Sequence, residues 1–303
     1  MKNTLLYLIT VLIWGSTWLA IEFQLGTVAP EVSLVYRFAM AALLMWGYCL
    51  YRKLPMSYSL VQHGFFLLLA ACNFGFNYLV LYWAQAHLTS ALASIAFSTM
   101  LIMNIVNTRL FFGKPVAARI YVGALLGIVG IALLFYKDLH NMALANTTLL
   151  GLMLALSGTL IASFGNMVSV RNSRREVGVL QGNAWGMLYG ACILMVVVWL
   201  SDAQFSFDWR PAYILSLLYL AVFGTVIAFA SYFALLKNIG PEKASYVIVL
   251  FPLVAVLLST WFEGFVWNTH TLGGFALVLA GNALVLTPLA RIRQWWTLRY
   301  QPG

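Results

Sequence analysis

Charged residues are scarce in this chain. Only 8% of its 303 residues are Asp, Glu, Lys or Arg, whereas 63% are hydrophobic. A soluble domain carries about 25% charged residues and could not bury so much apolar surface. The composition therefore excludes a soluble globular protein and predicts that lipid surrounds most of the chain.

Cysteine pairs and metal-ligand spacings are also missing. The three cysteines, Cys49, Cys72 and Cys192, lie in apolar stretches, and the four histidines are scattered. Neither HExxH nor GxSxG occurs, so we expect no disulfide framework, no metal site, no cofactor and no enzymatic activity. The net charge is +9, but no basic face with interleaved aromatic residues accompanies it. Nucleic acid is therefore not an expected partner.

Long hydrophobic runs take the place of these features. A helix needs about 20 mostly apolar residues to cross the hydrocarbon core. Ten such runs lie near 4–21, 32–50, 62–84, 90–112, 118–136, 147–169, 178–200, 211–236, 243–262 and 270–290. The first run resembles a signal peptide but is longer than the usual apolar segment, so we predict an uncleaved first span.

Basic residues are distributed unevenly over the short connections. If the amino terminus is cytoplasmic, fourteen Lys and Arg residues lie in inner segments and only Lys137 and Arg210 in outer loops. Such a bias predicts that both termini face the cytoplasm. The expected location is the cytoplasmic (inner) membrane of a bacterial-type cell, as a multi-pass protein.

The two halves of the sequence are similar at a fixed offset of 151 residues. The matching pairs are Ala93-Ser94 with Ala244-Ser245, Phe111 with Phe262, Gly113 with Gly264, Gly123 with Gly274 and Gly130 with Gly281. Each half has five spans, so the second half must enter the membrane from the opposite side. The predicted fold is all-α integral membrane, with ten transmembrane helices as two inverted five-helix repeats, 1–140 and 141–291, and a cytoplasmic tail, 292–303.

Several motifs resemble those of the EamA family in the drug/metabolite transporter superfamily. They are Trp14-Gly15-Ser16-Thr17-Trp18, Tyr36-Arg37-Phe38-Ala39 and the stretch from Gly240-Pro241 to Phe262-Glu263-Gly264. The resemblance implies a duplicated ten-span transporter, frequently an exporter of amino acids or other metabolites. Two departures stand out: Thr99-Met100-Leu101 replaces the family's usual proline in span four, and Phe112 and Lys114 replace its usual acidic residue near Gly113. The missing proline removes a helix break, so we expect the two halves to gate asymmetrically.

Polar and aromatic residues within the spans are the candidate substrate contacts, because polar groups are costly at membrane depth. The resemblance implies that spans one, three, four, six, eight and nine surround a cavity. The candidate cavity residues are therefore Trp14, Ser16, Thr17, Trp18, Asn73, Asn77, Tyr78, Tyr82, Ser98, Asn104, Ser163, Asn166, Thr225, Tyr232 and Tyr246, with Pro252 as a helix break for gating. Asn and Ser also bond between packed helices, and this alternative stays open.

Apart from Arg109, Arg119 and Lys243 near the inner ends of their spans, Arg37 is the only Lys or Arg within a predicted span. A guanidinium holds a carboxylate or phosphate by two bonds, so Arg37 is a candidate partner for an anionic group of the substrate. The alternative is a structural role, in which Arg37 snorkels outward or bonds carbonyls to brace the helix packing. No carboxylate lies near the middle of a span, which disfavours proton-for-cation exchange on a buried carboxylate.

The sequence thus predicts a transporter that exports small metabolites by alternating access. Amino acids, related aromatic or amphipathic solutes, or drugs are the expected substrates. An importer with the same fold is an alternative, and a membrane-embedded enzyme is the rival of another class. The expected partners are the small-molecule substrate and membrane lipids, with the chain as a monomer or homodimer. The substrate, the direction and the coupling ion are left open.

Overall fold

The computed structural model describes residues 2–113, 115, 117–136, 147–239 and 246–286, and every regular element in these ranges is helical. The first half contains α1 (Lys2–Glu22), α2 (Pro30–Tyr51), α3 (Leu60–Gln85), α4 (Ser90–Phe112) and α5 (Ala118–Leu134). The second contains α6 (Thr147–Arg174), α7 (Val179–Leu200), α8 (Pro211–Leu218, Tyr219–Ile227 and Ala228–Ile239), α9 (Tyr246–Phe262) and α10 (Thr269–Leu286).

Eight of these described helices are long and apolar enough to cross a membrane. The other two, α5 and α9, have 17 residues each and are also apolar. Each helix overlaps one of the ten predicted runs. The predicted boundary between repeats at 140 and the tail 292–303 lie outside the described residues. We call the face of the bundle at which α1 ends the outer face, after the topology that the charges predict, and the opposite one the inner face.

Two helices contain a π-helical segment near the middle of their length. The segment in α3 is Ala71–Gly75 and the segment in α8 is Tyr219–Ile227. At the offset of 151 residues, 71–75 corresponds to 222–226, which lies inside the α8 segment. π-helical segments are rare in proteins, and those that do occur often lie at functional sites. The two halves thus share an irregularity at equivalent positions.

Helices α5 and α10 approach so closely that glycine is required where they meet. A Cβ atom on Gly130 would lie 2.7 Å from the Gly274 carbonyl oxygen, and one on Gly123 would lie 2.7 Å from that of Gly281. The offset of 151 residues converts Gly123 into Gly274 and Gly130 into Gly281. Exchanging the halves therefore maps one contact onto the other. Small residues at such positions let membrane helices pack closely.

The helix interruption lies in α4 and not at Pro252. Helix α4 divides into Ser90–Ser98 and Met100–Phe112 around Thr99, whose hydroxyl donates to the Ala96 carbonyl at 2.7 Å. By contrast, α9 is helical on both sides of Pro252. Hydroxyl groups that bond nearby carbonyls compete with the helix's own hydrogen bonds. The expectation of a helix break at Pro252 is therefore corrected, because the interrupted helix is α4, which contains no proline.

The loop between α7 and α8 is fastened to the first half at the outer face. Arg210 donates to Asp208 at 2.7 Å from Nε and to Thr27 at 2.8 Å, and the Tyr36 hydroxyl donates to the Ser206 carbonyl. The hydrogen bonds from Arg210 hold the pKa of the Asp208 carboxyl below its usual value. This ion pair therefore stays charged at neutral pH, and through Thr27 it joins the loop between α7 and α8 to the loop between α1 and α2.

Candidate functional site

A network of amide and hydroxyl groups joins α3, α4 and α6 near the middle of the bundle. Asn73 donates to Asn166 at 3.4 Å, and Asn166 donates to Asn104 at 3.2 Å. The Ser163 hydroxyl donates to the same Asn104 oxygen at 2.8 Å and accepts from Asn107 at 2.8 Å. The network connects four predicted site residues and adds Asn107. It shows that these amides pack helices together, while Asn73, Asn104 and Asn166 remain half-buried.

The predicted residues of α1 lie against α8. The Trp14 ring contacts Phe229, with centroids 5.5 Å apart, and Tyr232, at 5.0 Å. Two residues further along α1, towards the outer face, the Ser16 hydroxyl lies 2.6 Å from the hydroxyl of Tyr219, the first residue of the α8 π segment. These contacts form a second wall, half-buried and aromatic, made by α1 and α8.

Aromatic rings close the bundle nearer the outer face. The buried Trp18 ring packs edge-on to Phe97 at 5.2 Å and nearly parallel to Phe251 at 6.2 Å. The Gln85 amide donates to the Trp18 carbonyl at 2.9 Å. These residues belong to α1, α4, α9 and α3, so four helices of both halves meet at this level.

An acidic residue joins α9 to α4 above these rings. The Glu263 carboxylate accepts from the Ser90 backbone N–H at 3.0 Å and from the Ser90 hydroxyl at 3.1 Å. Ser90 is the first residue of α4, where a helix has unsatisfied N–H groups and favours a negative charge. We call the Glu263–Ser90 pair the outer latch. Its two residues are 173 positions apart, and no sequence motif pairs them.

Arg37 lies deep in the contact between α2 and the outer part of α3. Its side chain is 2% exposed, its Nη1 donates to the Tyr82 hydroxyl at 3.4 Å, and its Cζ lies 4.7 Å from the centre of the Tyr78 ring. Its Nε has no hydrogen-bond partner. The structure thus brings Arg37 together with Tyr78 and Tyr82, although the sequence predicts an anion-binding role for Arg37 and a cavity role for the tyrosines.

Several predicted cavity residues instead lie in helix contacts. Tyr82, Ser98 and Thr225 are buried. The Ser98 hydroxyl accepts from Asn282 of α10 at 3.1 Å, and Thr225 donates to the Leu220 carbonyl within the π segment.

The remaining predicted residues are placed as follows. Thr17 is buried and donates to the Trp14 carbonyl at 2.7 Å. Asn77 is buried, and its Oδ1 has no hydrogen-bond partner. Tyr246 begins α9, but its side chain lies outside the described part of the structure. Within the described ranges, no three His, Cys, Asp or Glu side chains are grouped as a metal site.

Comparisons with known proteins give one consistent result. The family model for the EamA-like transporter family matches residues 1–136 and 149–287. Protein PagO of Salmonella typhimurium is 24% identical over 271 residues, covering 89% of this chain and 88% of that protein. The uncharacterized inner membrane transporter YedA of Escherichia coli K12 is 28% identical over 256 residues, covering 84% and 80%. A crystal structure with 19% identity has a TM-score of 0.68 and covers 96% of this chain and 98% of that chain, which shows the fold alone.

Proposed function

The chain belongs to the EamA-like transporter family, so it is a multi-pass membrane transporter and not an enzyme, and we propose that it exports small metabolites across a bacterial inner membrane. The proposed solutes are amino acids or related aromatic and amphipathic compounds. The mechanism is alternating access through a central cavity. An importer of the same solutes is the second candidate, since both directions use the same fold.

The half-buried polar residues at mid-depth are the observation that carries this proposal. Asn73, Asn104 and Asn166 on one wall, and Trp14 and Ser16 on the other, keep part of their surface exposed. Lipid would leave polar groups there unsatisfied, so such residues face protein or a water-filled space. We place the cavity between these two walls. Rings combined with neutral amides suit a flat, amphipathic solute.

The proposed resting conformation is open to the inner face. The outer latch and the Trp18 rings join the halves at the outer face. Towards the inner face, the walls have separate partners: α1 packs with the last segment of α8, Ala228–Ile239, and the second segment of α4, Met100–Phe112, packs with α6. A solute entering from the cytoplasm would thus reach the amides and Trp14, which is the first step of export.

Two inverted five-helix repeats with both termini in the cytoplasm complete the proposal. The equivalent π segments and the exchange of the glycine contacts between α5 and α10 support a duplication. Each half supplies an odd number of helices, so its copy has the opposite orientation. The proposed ten spans count the two shorter apolar helices α5 and α9 as membrane-crossing.

Removing the Trp14 ring is expected to reduce export about tenfold, since losing an aromatic contact of up to about 1.5 kcal/mol changes a rate by that factor. The measurement compares the spent media of cells that express the intact chain or Trp14→Ala, by untargeted mass spectrometry at equal protein level. Trp199→Ala is the matched control, because the Trp199 ring is 78% exposed on the outside of the bundle. We expect it to export normally.

The outcomes separate the candidate functions. Enrichment of one compound class outside cells with the intact chain supports export. Enrichment inside those cells, with the same dependence on Trp14, supports the importer. Equal losses for Trp14→Ala and Trp199→Ala would contradict the proposed cavity wall.

A further inference from the structure

Arg37 is a buried cation that has no counter-charge among the described residues. A guanidinium stays protonated in proteins, so burial cannot neutralise it. Removing a charge from water is costly unless an opposite charge and hydrogen bonds replace the water. The 2% exposure of Arg37 therefore requires that something satisfy its donors.

The protein satisfies them incompletely. Of five N–H donors on a guanidinium, one makes a long hydrogen bond of 3.4 Å to the Tyr82 hydroxyl. The aromatic faces of Tyr78 and Phe38 lie 4.7 and 5.5 Å from Cζ and offer a weaker, cation–π attraction. Nε has no partner. The guanidinium therefore retains unused donors in a site shielded from water.

No carboxylate of the described structure reaches this group. The one salt bridge within the described residues joins Arg210 to Asp208. Glu31 lies on the same helix as Arg37, but its carboxylate accepts from the Ser201 hydroxyl at 3.0 Å. Neither structural alternative matches the geometry: Arg37 is too buried to snorkel, and no described backbone carbonyl accepts from it.

Tyr78 is the less enclosed of the two tyrosines that contact Arg37, since Tyr82 is fully buried. One face of the Tyr78 ring contacts the guanidinium, and the residue remains half-buried rather than enclosed. Tyr78 follows the π segment Ala71–Gly75 of α3, which carries Asn73 of the amide network. The access route that the proposal below requires is a change in the Tyr78 rotamer, which would open a path between Arg37 and the space that the amides border.

We propose that Arg37 binds a carboxylate group of the transported solute, with Tyr82 orienting the guanidinium and Tyr78 forming the wall of the site. This inference rests on the proposed function and names the solute class: small monocarboxylates with an apolar or aromatic body, amino acids included. A single guanidinium matches one carboxylate by two parallel hydrogen bonds. The surrounding rings of Tyr78 and Phe38 suit an apolar body beside it.

The test compares two probes that differ only in charge, 3-phenylpropionate and its neutral amide, 3-phenylpropionamide. Binding to the purified intact chain is measured by tryptophan fluorescence in nanodiscs of phosphatidylcholine, which has no net charge. We expect the carboxylate to bind more tightly than the amide. Arg37→Gln is expected to weaken carboxylate binding at least about 30-fold, the smaller end of the range for removing one partner of a buried charge pair. Its affinity for the amide is expected to change little.

Two further variants keep the test decisive. Arg171→Gln is the matched control, because the Arg171 guanidinium also contacts an aromatic ring, 3.3 Å from the centre of Phe65, but Arg171 is half-buried and lies near the inner end of α6. It is expected to bind both probes normally. Tyr82→Phe removes only the hydroxyl, so it serves if Arg37→Gln does not fold; we expect a several-fold loss for the carboxylate alone.

Other anions give distinguishable results. Unchanged carboxylate binding in both Arg37→Gln and Tyr82→Phe overturns the proposal. So does an Arg37-dependent response to chloride without one to the carboxylate. If discs of phosphatidylglycerol abolish carboxylate binding to the intact chain, the site holds a lipid phosphate and the proposal is also overturned. The proposed function fails separately, if carboxylate binding depends on Arg37 but cells move no solute in either direction.

Discussion

Gly130→Ala is expected to lower the unfolding temperature of the purified protein by about 2–12 °C. The new methyl group would lie 2.7 Å from the Gly274 carbonyl oxygen and 2.9 Å from the Val278 backbone nitrogen. Both are backbone atoms, so α5 and α10 must separate to make room. Overpacking of this kind costs about 1–3 kcal/mol, and each kcal/mol shifts the unfolding temperature by about 2–4 °C in a chain of this order of size.

Gly127→Ala is the control on the same helix. The only close neighbour of a Cβ at Gly127 is the flexible end of Ile102, at 3.3 Å. Alanine also favours a helix over glycine by about 1 kcal/mol, so we expect an unchanged or slightly higher unfolding temperature. Gly274→Ala should reproduce the loss, and the double variant should lose less than the sum, because one helix displacement relieves both clashes. Equal behaviour of Gly130→Ala and Gly127→Ala would contradict the close contact.

Glu263→Ala is expected to increase hydrogen exchange at the outer end of α4 by about 10–100-fold. The variant removes an acceptor for the backbone N–H and hydroxyl of Ser90. Hydrogen bonds to a charged group contribute about 1.5–3 kcal/mol, which sets that range. The measurement is deuterium uptake by mass spectrometry over Ser90–Ser98, with Met100–Phe112 of the same helix as the internal reference.

Local opening and general destabilisation give different patterns. We expect faster exchange in Ser90–Ser98 and in the end of α9, with little change in Met100–Phe112. Glu31→Ala is the matched control, since Glu31 is another carboxylate near the outer face but bonds Ser201 at the end of α7. Faster exchange over the whole of α4 in Glu263→Ala would show that the outer latch is a stability contact and not a gate.

The sequence does not repeat the outer latch at the equivalent positions of the other half. At the offset of 151 residues, Glu263 corresponds to Phe112 and Ser90 corresponds to Pro241. Phenylalanine offers no acceptor, and proline has no backbone N–H to donate. The two halves therefore differ at these positions, while asymmetric gating stays a prediction.

The helices of this fold could be predicted from composition because each needs only a long apolar run. Local irregularities could not, since they depend on competing hydrogen bonds. Helix α4 is interrupted at Thr99, whereas α9 accommodates Pro252. The π segments of α3 and α8 likewise have no residue signature, although both fall at equivalent positions of the two halves.

The candidate site was predictable only as a set of residues, not as an arrangement. Helical spacing placed Asn73, Asn104 and Asn166 within their spans, but their mutual bonds depend on how three helices pack. Tyr82 was a predicted cavity residue, but its side chain is fully buried and its hydroxyl accepts a hydrogen bond from Arg37. The contact between Glu263 and Ser90 has no sequence signature, since the two residues lie in different halves of the chain.

The glycine seam between α5 and α10 behaves like the self-complementary interface of a symmetric dimer, contained within one polypeptide. Interchanging the two halves returns the same pairs of atoms: Gly123 with Gly281, and Gly130 with Gly274. Two conformations related by that interchange share the seam unchanged, so it favours neither of them. The seam is therefore expected to stay in place when the other helices move. A difference in free energy between these two conformations has to come from contacts that are not repeated in the other half, such as the contact of Glu263 with Ser90.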